Sequence, residues 1–224
     1  MGVISLRRRL EPSLKVDVYE VKLGDEFLMS SLFTVAEEEL ARLALAELPG
    51  EDLDVVIGGL GLGYTARTVL DDHRVRSLTV VEALTEVIGW HARQLLPDTA
   101  GLTTDARTHL VAGDFFALAA SEAGFDVRSP GRRYDAILVD IDHSPRHRLA
   151  ASHGDLYSPQ GLRAASRHLR PGGAFALWSD DPPDPDFGAV LAGVFADTSA
   201  RVVTFANPLT AGESTNTVYL ARPA

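Results

Sequence analysis

The chain has 224 residues, 46% of them hydrophobic and 23% charged, the balance of a folded domain with one sizeable core. Its formal charge of -10 opposes binding to nucleic acid, and the absence of cysteine excludes disulfides, thiol nucleophiles and thiolate metal ligands. No apolar run approaches the ~20 residues of a membrane span and no basic stretch leads into an apolar signal core, so a cytoplasmic location without a membrane partner is expected.

Arg7-Arg8-Arg9 reads as a solvated basic run near the terminus. Over residues 15–23 Val16, Val18 and Val21 alternate with charged neighbours, Gly24-Asp25 marks a turn, and residues 26–32 return. The expectation is a small N-terminal β-hairpin over residues 1–33, with the main domain over 34–224. Thr34 and Glu37 have the spacing of a capping box, and Leu40, Leu43, Ala44 and Leu48 recur at helical intervals until Pro49-Gly50. Strands are then expected at 55–57, 77–82, 108–112, 134–140 and 174–178, with helices at 64–72, 84–96, 115–123, 158–169 and 187–195 between and after them. The closing strands at 201–206 and 215–221 have no crossover helix between them, so they must pair antiparallel. This pattern specifies an α/β fold: a doubly wound, mostly parallel seven-stranded sheet with an antiparallel last strand, preceded by the hairpin.

The strongest candidate for a ligand cradle is the buried strand Val55-Val56-Ile57 running into a turn with Gly58, Gly59, Gly61 and Gly63. Its G-x-G-x-G spacing puts Tyr64 where a dinucleotide fingerprint has its third glycine, and no lysine follows as in a phosphate-binding loop. Glu82, about 20 residues further on at a strand end, is placed to accept both ribose hydroxyls. A ribose-bearing ligand without a pyrophosphate fits both facts.

Over residues 53–178 the chain resembles the class I S-adenosylmethionine-dependent transferases, and among them the spermidine synthase group. The resemblance rests on Gly58-Gly59-Leu60-Gly61-Leu62-Gly63, Val80-Val81-Glu82 with Glu86-Val87-Ile88, Gly113-Asp114, Tyr134-Asp135-Ala136-Ile137-Leu138-Val139-Asp140, Leu156-Tyr157 and Leu169-Arg170-Pro171-Gly172-Gly173. It implies a Rossmann-like methyltransferase fold and S-adenosylmethionine, or its decarboxylated form, as cofactor. It further implies that Glu82 holds the ribose, Asp114 the adenine amino group and the glycine turn the amino-acid or aminopropyl end, and it makes a homodimer reasonable.

The sequence departs from that group in two places: Gly61 stands where its G-G-G-D-G-G loop has aspartate, and His143 stands three residues after Asp140, where a second aspartate belongs. Asp140 is therefore the expected base, with Asp142 a displaced partner and His143 a secondary candidate. Methyl transfer to a small acceptor asks less of the protein and is the leading expectation. Aminopropyl transfer to a diamine is the alternative, and a non-catalytic nucleoside-binding scaffold the third reading. The acidic balance weakly favours a cationic acceptor. Asp140, Asp142, Asp180 and Asp181 also resemble the pattern of metal-dependent O-methyltransferases, but acidic loops are commonly solvated and no metal is assigned. Pro145 argues against one helix face for His143 and His147, and together with His153 they read as a surface loop.

Overall fold

The computed structural model describes residues 3–223. Three antiparallel strands come first, β1 (Ile4–Glu11), β2 (Val16–Leu23) and β3 (Glu26–Ser30), in the order β1-β2-β3. The hairpin expected from the alternation is the β2–β3 pair; β1 adds a strand to it. Arg7-Arg8-Arg9 therefore lies within a strand rather than in a tail, with Arg9 on Glu11 and Glu20 at 2.6 Å each and Arg8 on Asp17. The charges of β1 hid its alternation, because Asp17 and Glu20, which pair with Arg8 and Arg9, lie across the sheet on β2.

Helix α1 (Val35–Ala46) follows and buries Ala36, Leu40, Ala41, Ala44 and Leu45 along one stripe. The expected capping box is not formed: Thr34 makes no cap hydrogen bond and instead donates to Glu38 at 3.0 Å. At the other end, Arg74 donates to the Leu45 and Leu48 carbonyls, satisfying two acceptors that a helix terminus leaves open.

The main sheet then alternates with helices: β4 (Leu53–Gly58), α2 (Tyr64–Asp71), β5 (Val75–Glu82), α3 (Thr85–Ala92), β6 (Thr108–Ala112), α4 (Phe115–Ala120), β7 (Tyr134–Val139), α5 (Pro159–Ser166), β8 (Leu169–Ser179), α6 (Pro185–Ala192), β9 (Asp197–Asn207) and β10 (Gly212–Arg222). Its order is β6-β5-β4-β7-β8-β10-β9, parallel from β6 to β8, with β10 inserted antiparallel to both β8 and β9. No helix among the described residues is long and apolar enough to cross a membrane.

Strand side chains alternate between two cores. Val55, Ile57, Leu78, Val80, Ala136 and Leu138 point toward Leu40, Val69 and Val87, with the small N-terminal sheet added on that side. Val56, Val81, Ile137, Val139, Phe175 and Leu177 point toward Phe115, Leu162 and Leu191. Burying a large aliphatic side chain contributes about 1.5–3 kcal/mol, so strands buried on both faces have one stable register.

The amino ends of the strands are tied by charge. Asp54 on β4 is 1% exposed and accepts from Arg76, Arg132 and Arg170, while its backbone N–H donates to Asp135 at 2.7 Å. Arg170 reaches it because residues 170–173 bulge out between the Tyr134–Leu169 and Ala136–Ala174 pairs. Burial pushes the Asp54 carboxyl up, but the hydrogen bonds of Arg76 and Arg170 and the charge of Arg132 outweigh it and hold the pKa below the ordinary value.

Asp54→Ala should lower stability to urea by about 3 kcal/mol, since three guanidinium groups lose one buried partner. A depressed carboxylate stabilises above its unfolded pKa, so the deficit of the variant should be full above about pH 4 and shrink as the pH falls further.

Candidate active site

The chain leaves β4 toward β5 and β6, then returns beside β4 to build β7 and β8, so the sheet reverses direction between β4 and β7. Ligands of doubly wound sheets bind at such a point, beyond the carboxyl ends of the strands. The glycine turn emerges there. Gly59 has φ +93° and donates to the Val81 carbonyl at 2.9 Å, and a Cβ on it would lie 2.0 Å from the Asp140 carbonyl oxygen. Gly58 needs its lack of a side chain for another reason: the Phe115 ring covers its Cα, and a Cβ there would lie 2.6 Å from the ring.

Glu82 ends β5, is 8% exposed, and accepts the Leu60 N–H at 2.9 Å and the Leu84 N–H at 2.8 Å, one on each carboxylate oxygen. It thus ties the glycine turn to the start of α3. His91 Nε2 donates to the Gly61 carbonyl at 2.9 Å, and Thr99 Oγ1 to the Leu62 carbonyl at 2.9 Å. Burial holds the His91 pKa below its ordinary value, consistent with a neutral ring carrying its proton on Nε2. Over Gly61, whose φ is +49°, lies Met29 from β3, its sulfur 2.7 Å from where a Cβ would stand.

Beside the turn a narrow cleft of about 60 Å³ is lined by Met29, Glu37, Gly61, Asp140, His143 and Trp178 among others, with no lysine or arginine in its walls. Asp140 follows β7 directly. Its N–H donates to the Gly58 carbonyl at 2.9 Å, and Thr65 on α2 donates to its Oδ2 at 2.6 Å. Burial pushes the Asp140 carboxyl up to about 6, the Thr65 hydrogen bond partly opposing it. Glu37 on α1 is pushed up to about 8, first by burial and next by the charge of Asp140, with smaller contributions from Glu38 and Asp180 and a hydrogen bond from its own backbone N–H partly opposing them. Trp178 on β8 has its Nε1 buried without a hydrogen-bond partner among the described residues.

The structure gathers Gly59, Gly61, Gly63, Glu82, Asp140 and His143 around the turn and cleft, His143 Nε2 lying 3.7 Å from Glu26. Asp114 stands at the end of β6, next in the sheet to Glu82, and caps α4 by accepting from Phe116 and Ala117 on Oδ1 alone. Asp142 is turned away from the cleft. Its buried carboxylate accepts from Leu149 N–H, His153 Nδ1 and Tyr157 Oη at 2.7 Å each, and His153 stacks on Phe116 at 3.8 Å. Asp181 pairs with Ser144 and His147, and Asp180 accepts from Asn216. The acidic loops thus face separate partners, and the described residues contain no group of three potential metal ligands.

Glu37, Thr65 and Met29 escaped the sequence reading. Glu37 had a signal: of three consecutive glutamates, Glu38 and Glu39 pair with Arg42 at helical spacing, which leaves Glu37 on another face. Thr65 and Met29 carry none, since their placement depends on how α2 and β3 meet the turn.

No protein-family model matches the chain. It is 27% identical over 177 residues to a polyamine aminopropyltransferase of Bacillus mycoides, covering 75% of this chain and 58% of that protein. Over its whole length it superposes on the spermidine synthase of Thermotoga maritima with a TM-score of 0.74 and 18% identity, covering 71% of that chain. The chain is spermidine synthase-like. Human methyltransferase-like protein 13, solved with SAH, aligns with a TM-score of 0.63 and 20% identity over 84% of this chain and 82% of its own. These structural likenesses establish the Rossmann-like methyltransferase fold. The chain spans about half the length of the curated relatives it matches.

Gly59→Ala should be the most damaging change in the turn, costing upwards of about 2 kcal/mol in thermal or urea unfolding because both φ and the Asp140 carbonyl forbid a methyl group. Gly61→Ala should cost about 1 kcal/mol, since it meets only the flexible end of Met29. For Glu37 the sign is reversed relative to Asp54. A carboxyl whose folded pKa is raised supports the fold fully below about pH 4.5 and loses that support as the pH rises through about 8. Glu37→Gln should therefore gain stability over the natural chain between pH 5 and pH 9 in paired denaturation curves.

Proposed function

We propose that the chain transfers an aminopropyl group from a decarboxylated S-adenosylmethionine-type sulfonium nucleoside to an amine. The observation that carries this reading is the half-buried Asp140 carboxylate in an acidic cleft at the sheet's reversal point, in a chain whose curated relatives are aminopropyltransferases. The relatives favour this reaction over the methyl transfer that the sequence put first.

The residues present suit such a donor. Glu82 is fixed by two N–H groups yet keeps half of its carboxylate lone pairs for ribose hydroxyls. Asp114 has Oδ2 left over after capping and would receive the adenine amino group. The cleft walls carry carboxylates and no cationic side chain, which suits a positively charged sulfonium. When bound, the sulfonium supplies an activated carbon, its sulfur departing as a neutral thioether with the electron pair of the broken bond.

Asp140 does the proton work. An amine reaches the protein as an ammonium ion, and its nitrogen must shed a proton before it can attack. A carboxyl raised to about 6 is mostly ionised at neutral pH and better matched to that transfer than an exposed aspartate. Thr65 fixes Oδ2, and the Gly58 carbonyl fixes the backbone, so the carboxylate is oriented before the acceptor arrives. The proton then passes to water when the product leaves.

Methyl transfer is the second reading, favoured by one observation: at Gly61 the turn offers no carboxylate, and the Met29 sulfur covers the position.

Incubation with decarboxylated S-adenosylmethionine and 1,4-diaminobutane should yield spermidine, and S-adenosylmethionine should yield no methylated diamine; the reverse preference would decide for methyl transfer. Glu82→Ala should abolish methylthioadenosine binding in calorimetry. Asp140→Asn should keep that binding and lower turnover about 10²–10⁴-fold.

A further inference from the structure

Glu37 is a half-buried carboxylate for which neither the fold nor the proton transfer above has a use. It lies in the first turn of α1, where Glu38 and Glu39 reach out to Arg42 at 2.7 and 2.9 Å. Among the described residues its carboxylate is met only by its own backbone N–H, with no cation beside it, although it lines the same cleft as Asp140. Thr65 spans the two residues, donating to Asp140 Oδ2 and lying 3.3 Å from the Glu37 carbonyl oxygen. Burying two carboxylates together without a cation is costly, and such an arrangement persists where a ligand supplies the missing charge. The remaining walls are apolar: Leu28 and Met29 from β3, Leu60 from the turn and Trp178 from β8.

We propose that Glu37 is the acceptor-binding carboxylate of the site, forming with Asp140 a two-carboxylate seat for the ammonium group of an alkylamine whose carbon chain lies against Leu28, Met29 and Trp178. This rests on the transfer reading above. It also supplies the second acidic group that the sequence lacks at His143: the partner of Asp140 comes from α1 instead of from three residues down the β7 loop.

The division of labour follows from the surroundings. Glu37 faces Asp140 and feels Asp180 and Glu38, the latter already paired with Arg42. The other ionisable side chains of the cleft are His143, which faces Glu26, and Tyr64, which donates to Asp98 at 2.9 Å. Without a ligand the Glu37–Asp140 pair holds one proton near neutral pH, because burial and mutual repulsion oppose full ionisation. An arriving ammonium ion replaces that proton. The seat is then one cation on two carboxylates, and Asp140 is free to take a proton from the nitrogen while Glu37 keeps its charge beside the acceptor.

Displacement of the proton distinguishes this role from a structural one. Calorimetric titration of the full chain with 1,4-diaminobutane at pH 7, repeated in buffers of different ionisation enthalpy, should show binding with release of about one proton per amine. Glu37→Gln should weaken amine binding at least about tenfold and abolish the proton release, with methylthioadenosine binding and thermal unfolding unimpaired. Natural affinity with unchanged proton release in Glu37→Gln, or amine binding by the natural chain without proton release, would overturn the proposal. Loss of methylthioadenosine binding to the natural chain would instead count against the donor reading, and the amine titration would still be read separately.

Discussion

The carboxyl edge of this sheet depends on the Glu82 carboxylate. A turn with three glycines at positive φ has little intrinsic preference for one shape, and its N–H groups need acceptors once the turn packs against α3 and β7. Glu82 supplies one to Leu60 and, through its other oxygen, one to Leu84, so a single side chain fixes both the exit from β4 and the entry to α3. Hydrogen bonds to a charged acceptor contribute about 1.5–3 kcal/mol each, enough to select one turn geometry. With the turn fixed, Gly59 abuts the Asp140 carbonyl, and the position of Asp140 follows from that of Glu82.

The two ends of the strands use acidic residues in opposite ways. At the amino ends Asp54 is surrounded by Arg76, Arg132 and Arg170, and its pKa is held down. At the carboxyl ends Glu37 and Asp140 share a cleft without a cation, and their pKa values are pushed up. One arrangement stabilises the fold; the other opposes it, and carboxylates with raised pKa values are common at functional sites. Asp142 belongs to the first kind although it is two residues from Asp140, since His153, Tyr157 and Leu149 complete its shell and it serves to pin the loop after β7.

Hydrophobic periodicity determined most of the fold. Continuous apolar runs such as Ala136 to Val139 are stable only as strands covered on both faces, and stripes such as Leu40, Ala44 and Leu48 only as helices against them, so the order of elements follows from local pattern. The motif residues at strand ends were legible for the same reason: in a parallel sheet the ends of β4, β5, β6 and β7 lie on one side, and the sequence alone puts Gly59, Glu82, Asp114 and Asp140 there. Strand β1 was not legible, because Arg8 and Arg9 find their opposite charges on β2 and nothing in their own segment announces it.

Only the tertiary structure decided which acidic residues lie together. Sequence spacing suggested Asp142 or His143 as the companion of Asp140, but the chain turns after β7 so that Asp142 faces inward. The partner in the cleft is Glu37, about a hundred residues earlier on α1. A capping-box spacing with Thr34 even gave Glu37 a different local role, which the structure does not use. Local pattern specifies elements because periodicity is a property of a few turns of chain. The pairing of two charges specifies nothing until packing brings their elements together, and here the packing of α1 and α2 against the carboxyl end of β7 does so.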